Sequence, residues 1–412
     1  MNLYKRWVIY TAALFLLISA TLVSTPNLYF MAALLLVLPG ISYALGMFTL
    51  RELEFDRETP SSAWEGETAT FSVIARSTSR LPRLFLQAAD ILPVSLTPQS
   101  EDLMFNVPPN SETKIAYQVE LTKRGAYKIE GMHITALDPL GIYSFSRTYP
   151  VESELLVYPS PQEIPAFALS GAERYGYQEL PIAATKGSGV DPDGVRQYVP
   201  GDPLRRMHWK STARTGKLNV IEFEESHAVN VVMALDLFHG SDVGKGRQTT
   251  LEYLVVSAAS IAQAAIRQGA SVRLVSGDSP DTADFAGRGS EHFLMILTSL
   301  ARAQANQSAE LSSRLVERIG PILPGTTLIV LTANVDDDLP GALAHYTTAG
   351  VQVYVFFADA RSFQSGLRTP TETQQMEFIE RLVAAQCLPF LLRQNDDRDI
   401  RPEPIRDVRH YA

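Results

Sequence analysis

Residues 7–50 carry no charge, and apolar residues crowd both sides of a central "STPN" at 24–27. A membrane crossing takes about 20 residues, so this span is long enough for two crossings and too long for one. It predicts a helical hairpin that turns at 24–27. Pro39 and Gly40 are expected to kink the second helix, which membranes tolerate. Lys5 and Arg6 precede the hairpin, Arg51 and Arg57 follow it, and the turn has no basic residue. The positive-inside rule then places both ends, and the chain beyond Arg51, in the cytoplasm. Tyr4, Trp7, Tyr10 and Tyr29 fall where interfacial aromatics sit. A cleaved signal peptide competes for the first apolar run, but a second run, 28–48, follows at once and favours the hairpin.

From about residue 51 to 160 the pattern shifts to short period-two runs, among them "TATFSVIAR", "TKIAYQVEL" and "YKIEGMHITAL", divided by turn signals such as "VPPNSE" and "DPLG". This predicts an antiparallel β-sandwich. Residues 161–228 read as a linker, rich in Pro, Ala and Gly up to about 186, followed by a basic segment. From about 229 to 395 the pattern changes again. "VNVVMALDLF" is a continuous apolar strand, as where both faces of a parallel sheet are covered. A helical stripe of Leu251, Leu254, Val255, Ala258, Ile261, Ala262 and Ala265 follows, ended by Gly269. Strands at "SVRLVSG", "TTLIVLTAN", "VQVYVFF" and "CLPFLLR" alternate with helical segments, which predicts an α/β domain with a largely parallel sheet. Residues 396–412 read as a polar tail.

Charge narrows the function classes. Against 36 Lys and Arg stand 45 Asp and Glu, a net charge of -9, which argues against nucleic acid as a partner. Cys387 is the only cysteine, so no intrachain disulfide exists; in the apolar run "CLPFLLR" it reads as a small buried hydrophobe.

One stretch runs against the acidic balance. "GDPLRRMHWKSTARTGKL", 201–218, holds Arg205, Arg206, Lys210, Arg214 and Lys217. Gly201 marks a turn, Asp202 is a suitable N-cap and Pro203 suits a first helical position, so a helix is expected over 203–215 with Gly216 ending it, followed by a strand "KLNVIEFEE". Arg206, Lys210 and Arg214 then share a face. Three readings stay open: internal ion pairs with nearby carboxylates, a docking face for an acidic partner or anionic lipid, or phosphate recognition. Trp209 reads as a packing anchor.

The run from 189 to 225, "GVDPDGVRQYVPGDPLRRMHWKSTARTGKLNVIEFEE", resembles the signature of the bacterial domain-of-unknown-function 58 family, at Arg196, Tyr198, Pro200, Gly201, Asp202, Arg206, Trp209, Lys210 and Arg214. "KRGAYKIEG" and "DPLGIYSFSR" resemble the family's sandwich region. The resemblance implies a von Willebrand factor A-like α/β domain, and a genomic neighbourhood with MoxR-type AAA+ ATPases and transglutaminase-like membrane proteins.

A von Willebrand A-type metal site begins D-x-S-x-S after the first strand. Here Asp236 is present, but Phe238 and Gly240 stand at the hydroxyl positions, leaving too few hard oxygen donors for a tight Mg²⁺ site. Asp236 is thus a weak metal candidate, alongside Asp278, Ser279, Thr332 and Asp336, and otherwise a strand-end cap. The seven histidines show no paired ligand spacing, and no G-x-S-x-G elbow exists. The expectation is a membrane-integral, non-catalytic scaffold or adaptor without a cofactor, working with a protein partner such as a MoxR-type ATPase. A divalent-metal-dependent binding module, and a phosphate-ester hydrolase using Asp236, His239 and the basic helix, are the alternatives.

Overall fold

Helix α1 (Leu3–Val23) and helix α2 (Pro26–Thr49) take up the uncharged span. In this computed structural model the described residues are 3–100, 103–163, 185–199, 207–225, 230–277, 281–363, 370–395 and 402–405. Both helices are long and apolar enough to cross a membrane, and most of their large apolar side chains are exposed, so they are not core helices. Pro26 opens α2, where a missing N–H costs nothing. The turn therefore shrinks to Ser24, in the left-handed region, and Thr25. The helix continues through Pro39.

The chain divides into two units, 1–159 and 160–412. In the first, two sheets face each other. One has β1 (Leu53–Glu58), β3 (Thr68–Ser77), β7 (Glu112–Leu121) and β5 (Leu96–Pro98), in that order. The other runs β2 (Ser62–Trp64), β9 (Ser144–Tyr158), β8 (Gly125–Leu137), β4 (Arg83–Asp90) and β6 (Leu103–Val107). All pairs are antiparallel except β2 with β9. Phe71, Val73 and Leu121 from one sheet and Leu86, Ile129, Met132, Ile134 and Leu155 from the other fill the core, as period-two strands require.

Arg57, read from the sequence as a membrane-flanking cation, is instead buried between the sheets. It sits on β1, whose inward positions leave it no route to water. The cations next to the hairpin are Lys5, Arg6 and Arg51.

In the second unit, β10 (Thr185–Gln197) and β11 (Asn219–Glu225) form an antiparallel ribbon with register shifts at Pro192. Strand β11 falls in the expected strand "KLNVIEFEE", whereas the linker reading is corrected for β10. Gly and Pro, which punctuated the sequence, sit where the ribbon bulges.

The main sheet has the order β15 (Ser271–Ser276), β12 (Asn230–Leu235), β16 (Thr327–Thr332), β17 (Gln352–Ala358), β18 (Leu388–Leu392) and β19 (Glu403–Pro404), parallel except for β19. Strand β19 lies in the segment expected to be polar tail. Pro402 is buried there and Ile405 packs on the core, so the tail expectation is corrected for these residues. Val232, Ala234, Val330, Val353, Val355 and Phe357 pack on α6 (Leu311–Ile319), α7 (Leu339–Thr348) and α8 (Glu372–Ala384). Alternate positions such as Met233 and Leu235 are buried away from that cluster, where α4 (Thr250–Arg267) packs on β12, β15, β16 and β17 and α5 (Gly289–Arg302) on α4. Between β12 and α4, β13 (Gly244–Lys245) and β14 (Gln248–Thr249) form a short antiparallel pair. Gly269 follows α4 with positive φ, as expected of a C′ glycine.

Candidate functional site

Two places merit a site reading, the basic segment and the carboxyl edge of the parallel sheet. Of the signature residues, Gly201, Asp202, Arg205 and Arg206 lie outside the described residues, as does the Arg196 side chain. Tyr198 lies just past β10, its N–H donating to the Leu218 carbonyl at 2.8 Å. Helix α3 spans only Trp209–Thr215. The expected start at Pro203 is corrected by nonlocal pairing: Met207 is bridged to Val220, and the His208 N–H donates to Asn219 O at 2.8 Å. That pairing holds Met207 and His208 in a non-helical course. His208, not Asp202, is the N-cap, its Nδ1 accepting from the Ser211 N–H at 3.3 Å. Gly216 ends the helix in the left-handed region.

Arg206 comes before the first residue of this helix and lies outside the described residues. Lys210 and Arg214 do lie on α3, four residues apart, and both are exposed. Trp209 is 67% exposed and no α3 residue is buried, which corrects the packing-anchor reading. Among the described residues, neither Lys210 nor Arg214 has an ion-pair partner. Val199 and Leu218 are also exposed, so this edge carries apolar and cationic side chains together.

At the other place, the strand order has a specific consequence. The chain moves from β12 to β15 on one side and then to β16 on the other, so β12 and β16 flank a topological switch point, where open α/β sheets place ligands. Asp236, fully buried, ends β12 there. Its Oδ2 accepts from Thr332 Oγ1 at 2.7 Å, its Oδ1 from the Phe238 N–H at 3.1 Å, and Arg314 Nη2 lies 3.9 Å from Oδ1. Burial holds this carboxyl above the ordinary range; the Thr332 and Phe238 hydrogen bonds and the Arg314 charge oppose that, and Asp336 adds to it.

Asp236 shares its local geometry with two other buried aspartates. Asp336 Oδ1 accepts from the Asp338 N–H at 3.1 Å, and its Oδ2 from the Ser312 N–H at 2.9 Å. Asp359 Oδ1 accepts from the Arg361 N–H at 3.1 Å. Each bonds the backbone two residues on, an Asx turn that stops a strand or starts a helix. These carboxylates are occupied by protein donors. Phe238 and Gly240 offer no side-chain oxygen, and Ser241 Oγ donates to Phe238 O at 2.8 Å. The described donor set does not fit a divalent cation: a hard cation needs six or more oxygens, and a guanidinium already lies beside Asp236. Asp278 and Ser279 lie outside the described residues. Among the described residues the Asp236 carboxylate bonds Thr332 and the Phe238 N–H.

The loops that follow β12 and β16 open on a cavity of about 580 Å³, lined by Ser241 and Val243 after β12, Asn334 and Asp337 after β16, and Glu377 and Arg381 of α8; Asp236 itself is not in its lining. Arg381 Nη1 donates to Asp337 at 3.0 Å across it. Sequence reasoning missed this cavity, because the switch point exists only once the strand order is known.

Residues 194–350 match the family described as "Protein of unknown function DUF58". The chain is 26% identical over 321 residues to the uncharacterized protein YeaD of Bacillus subtilis (strain 168), covering 73% of this chain and 76% of that protein. Solved structures resemble parts of it faintly. The CARDB domain of PF1109 from Pyrococcus furiosus matches 26% of this chain and 94% of its own, at 10% identity and TM-score 0.19. A protein of unknown function from Porphyromonas gingivalis W83 matches 26% of this chain and 49% of its own, at 12% identity and TM-score 0.20. Likenesses this low carry no argument.

Proposed function

We propose that this chain, which belongs to the DUF58 family, is a membrane-anchored, non-catalytic scaffold that recruits a protein partner through its α3 edge, the partner being a MoxR-type AAA+ ATPase. The observation that carries the reading is α3 itself: a helix with no buried residue, presenting an exposed tryptophan beside Lys210 and Arg214. Tryptophan and arginine dominate protein interfaces energetically, and a cationic edge on an acidic chain steers an acidic partner. The α1–α2 hairpin supplies the anchor. Lys5, Arg6 and Arg51 flank it and its turn is uncharged, which supports a cytoplasmic location for the rest of the chain.

Two variants of the full-length protein test the docking role: Trp209→Ala, and Lys210→Glu combined with Arg214→Glu. Both are expected to leave the melting temperature unchanged, because these side chains are exposed, while cutting ATPase co-purification from native membranes several-fold. The wild-type interaction should weaken as salt rises, since exposed charges are screened. Undiminished capture by both folded variants would remove α3 as the docking edge. Accessibility of a cysteine placed just after Arg51 to impermeant reagents, in intact cells against inverted vesicles, tests the orientation.

A further inference from the structure

The sandwich is fastened to the helical hairpin at one end, and that end is built unlike an ordinary water-facing rim. Helix α2 leaves its last carbonyls without intrahelical donors; Arg83 Nη1 donates to Phe48 O at 2.8 Å, and Tyr149 Oη donates to Leu50 O at 3.0 Å. Loop 138–143 runs along the same helix ends. Asp138 is buried, accepting from the Ser42 hydroxyl and from the Tyr143 N–H at 2.7 Å. Lys5 Nζ donates to Gly141 O at 3.3 Å, and the Arg6 guanidinium lies 4.2 Å from the Tyr143 ring centre. Tyr43 packs edge-on against Tyr143 and Phe145.

These contacts set a depth. Lys5 and Arg6 bound the first uncharged span, so a loop bonded to them lies at its edge. In the antiparallel hairpin Lys5 is level with about Leu45, and Phe48, held by Arg83, is only about 4.5 Å of helix rise farther on. Headgroup regions are roughly 5–8 Å thick on each side, so loop 138–143 and the Arg83 end of β4 fall within that layer.

At this depth the sandwich turns apolar side chains outward. Between Arg83 and Leu86 strand β4 has a register shift against β6, with Phe85 in the left-handed region and its N–H donating to Asn106 Oδ1 at 2.8 Å. A regular strand would send Leu84 and Phe85 to opposite faces; here both are exposed while Arg83 and Leu86 are buried. A bulge that re-aims side chains is a built feature, and left-handed backbone at a bulky residue is strained and persists only where its surroundings hold it. Leu81, in the adjoining loop, is 65% exposed, and Leu140 is exposed beside Gly141. Arg51 and Arg80 are exposed at the same end.

We propose that this rim seats on the surface of the membrane its hairpin crosses, with Leu81, Leu84, Phe85 and Leu140 at the headgroup–acyl boundary and Arg51 and Arg80 on anionic phosphates. The proposal rests on reading α1 and α2 as membrane spans. Apolar area plus basic charge is the pairing that binds anionic interfaces. Seating fixes the sandwich to the bilayer at more than its covalent tether.

The test uses full-length protein in vesicles of phosphatidylcholine with phosphatidylglycerol. An environment-sensitive fluorophore is placed through Leu81→Cys, Leu140→Cys, Val94→Cys or Leu36→Cys; the native Cys387 is buried. Val94 is 99% exposed near strand β5 at the opposite end of the sandwich and reports water, while Leu36 lies within α2. Probes at 81 and 140 are expected to be quenched by shallow spin-labelled lipid, and several-fold less than the Val94 probe by aqueous iodide. Neutral lipid alone should raise iodide access at 81, as should Arg51→Glu with Arg80→Glu; no change in either overturns the role of those arginines. Iodide access at 81 and 140 equal to that at 94, with Leu36 still lipid-quenched, overturns the seating while sparing the spans. Iodide access at Leu36 as well overturns the span reading and the seating with it. Shielding from iodide without lipid quenching means protein covers the rim, which also overturns the proposal.

Discussion

Arg57 and Asp90 meet between the two sheets of the sandwich, Nη2 to Oδ1 at 2.6 Å and Nε to Oδ2 at 3.2 Å, with side chains 0% and 2% exposed. The remaining guanidinium donors reach Val151 O at 2.7 Å, Gly131 O at 3.0 Å and Ser153 Oγ at 3.1 Å, where the β8–β9 pairing shifts register. Tyr117 Oη donates to the same carboxylate, and burial together with the Asp90 charge pushes its hydroxyl above the usual range. Removing one partner strands a buried charge, at about 3–5 kcal/mol. Arg57→Ala or Asp90→Ala should therefore unfold the sandwich well below the wild-type temperature. Arg57→Met with Asp90→Leu should cost less than either single variant, as read by denaturant midpoints.

Asp236 predicts a pH dependence. Its folded-state affinity for the proton exceeds that of the unfolded chain, whose carboxyl titrates near 4. The contribution to stability is thus fully present below that pH and is lost as pH rises through the folded value. Asp236→Asn should flatten the rise in melting temperature seen on acidifying from neutrality toward pH 4. An unchanged profile would remove Asp236 as its source.

Divalent cations should not stabilise the second unit, because Asp236, Asp336 and Ser241 are bonded to protein groups. Millimolar Mg²⁺ or Mn²⁺ is expected to leave its melting temperature unmoved, as linkage requires for negligible binding. A rise abolished by Asp236→Ala would show a site the geometry does not provide.

Cys387 lies in the core beneath α8, and burial pushes its thiol up to about 12. At pH 8 its thiolate is then about one part in ten thousand, and the thiolate is the reactive form. Native protein should resist alkylation for hours and react fully in denaturant.

His208→Ala should lower the local stability of α3 by up to about 1 kcal/mol, the scale of an N-cap, seen as faster amide exchange at Ser211. Asp202→Ala should leave that amide unchanged, since His208 supplies its acceptor.

Period and length made much of this protein legible in advance. The uncharged span foretold α1 and α2, period-two runs foretold the sandwich strands, and continuous apolar strands alternating with amphipathic helices foretold a parallel sheet, because each pattern reflects which local geometry buries apolar side chains. The missing hydroxyls at 238 and 240 were equally plain, since a ligand's absence is a local fact. The Asx role of Asp236 was foreseen as well. That of Asp359 was not, as a lone aspartate after a strand has no distinguishing pattern.

Nonlocal pairing decided the rest. Whether Arg57 flanks a membrane or clasps two sheets depends on Asp90 and the β8–β9 register, far along the chain. Helix α3 starts at Trp209 because Met207 and His208 pair with the next strand, an effect no capping rule contains. The cavity between β12 and β16 exists because β15 and β16 lie on opposite sides of β12. Sequence alone determined the apolar spans, the sandwich strands and the alternation of strand and helix in the α/β region, for those follow from the spacing of neighbours. Only the tertiary structure decided strand order, register and the fate of each buried charge, because these depend on contacts between residues whose separation along the chain carries no trace of their meeting.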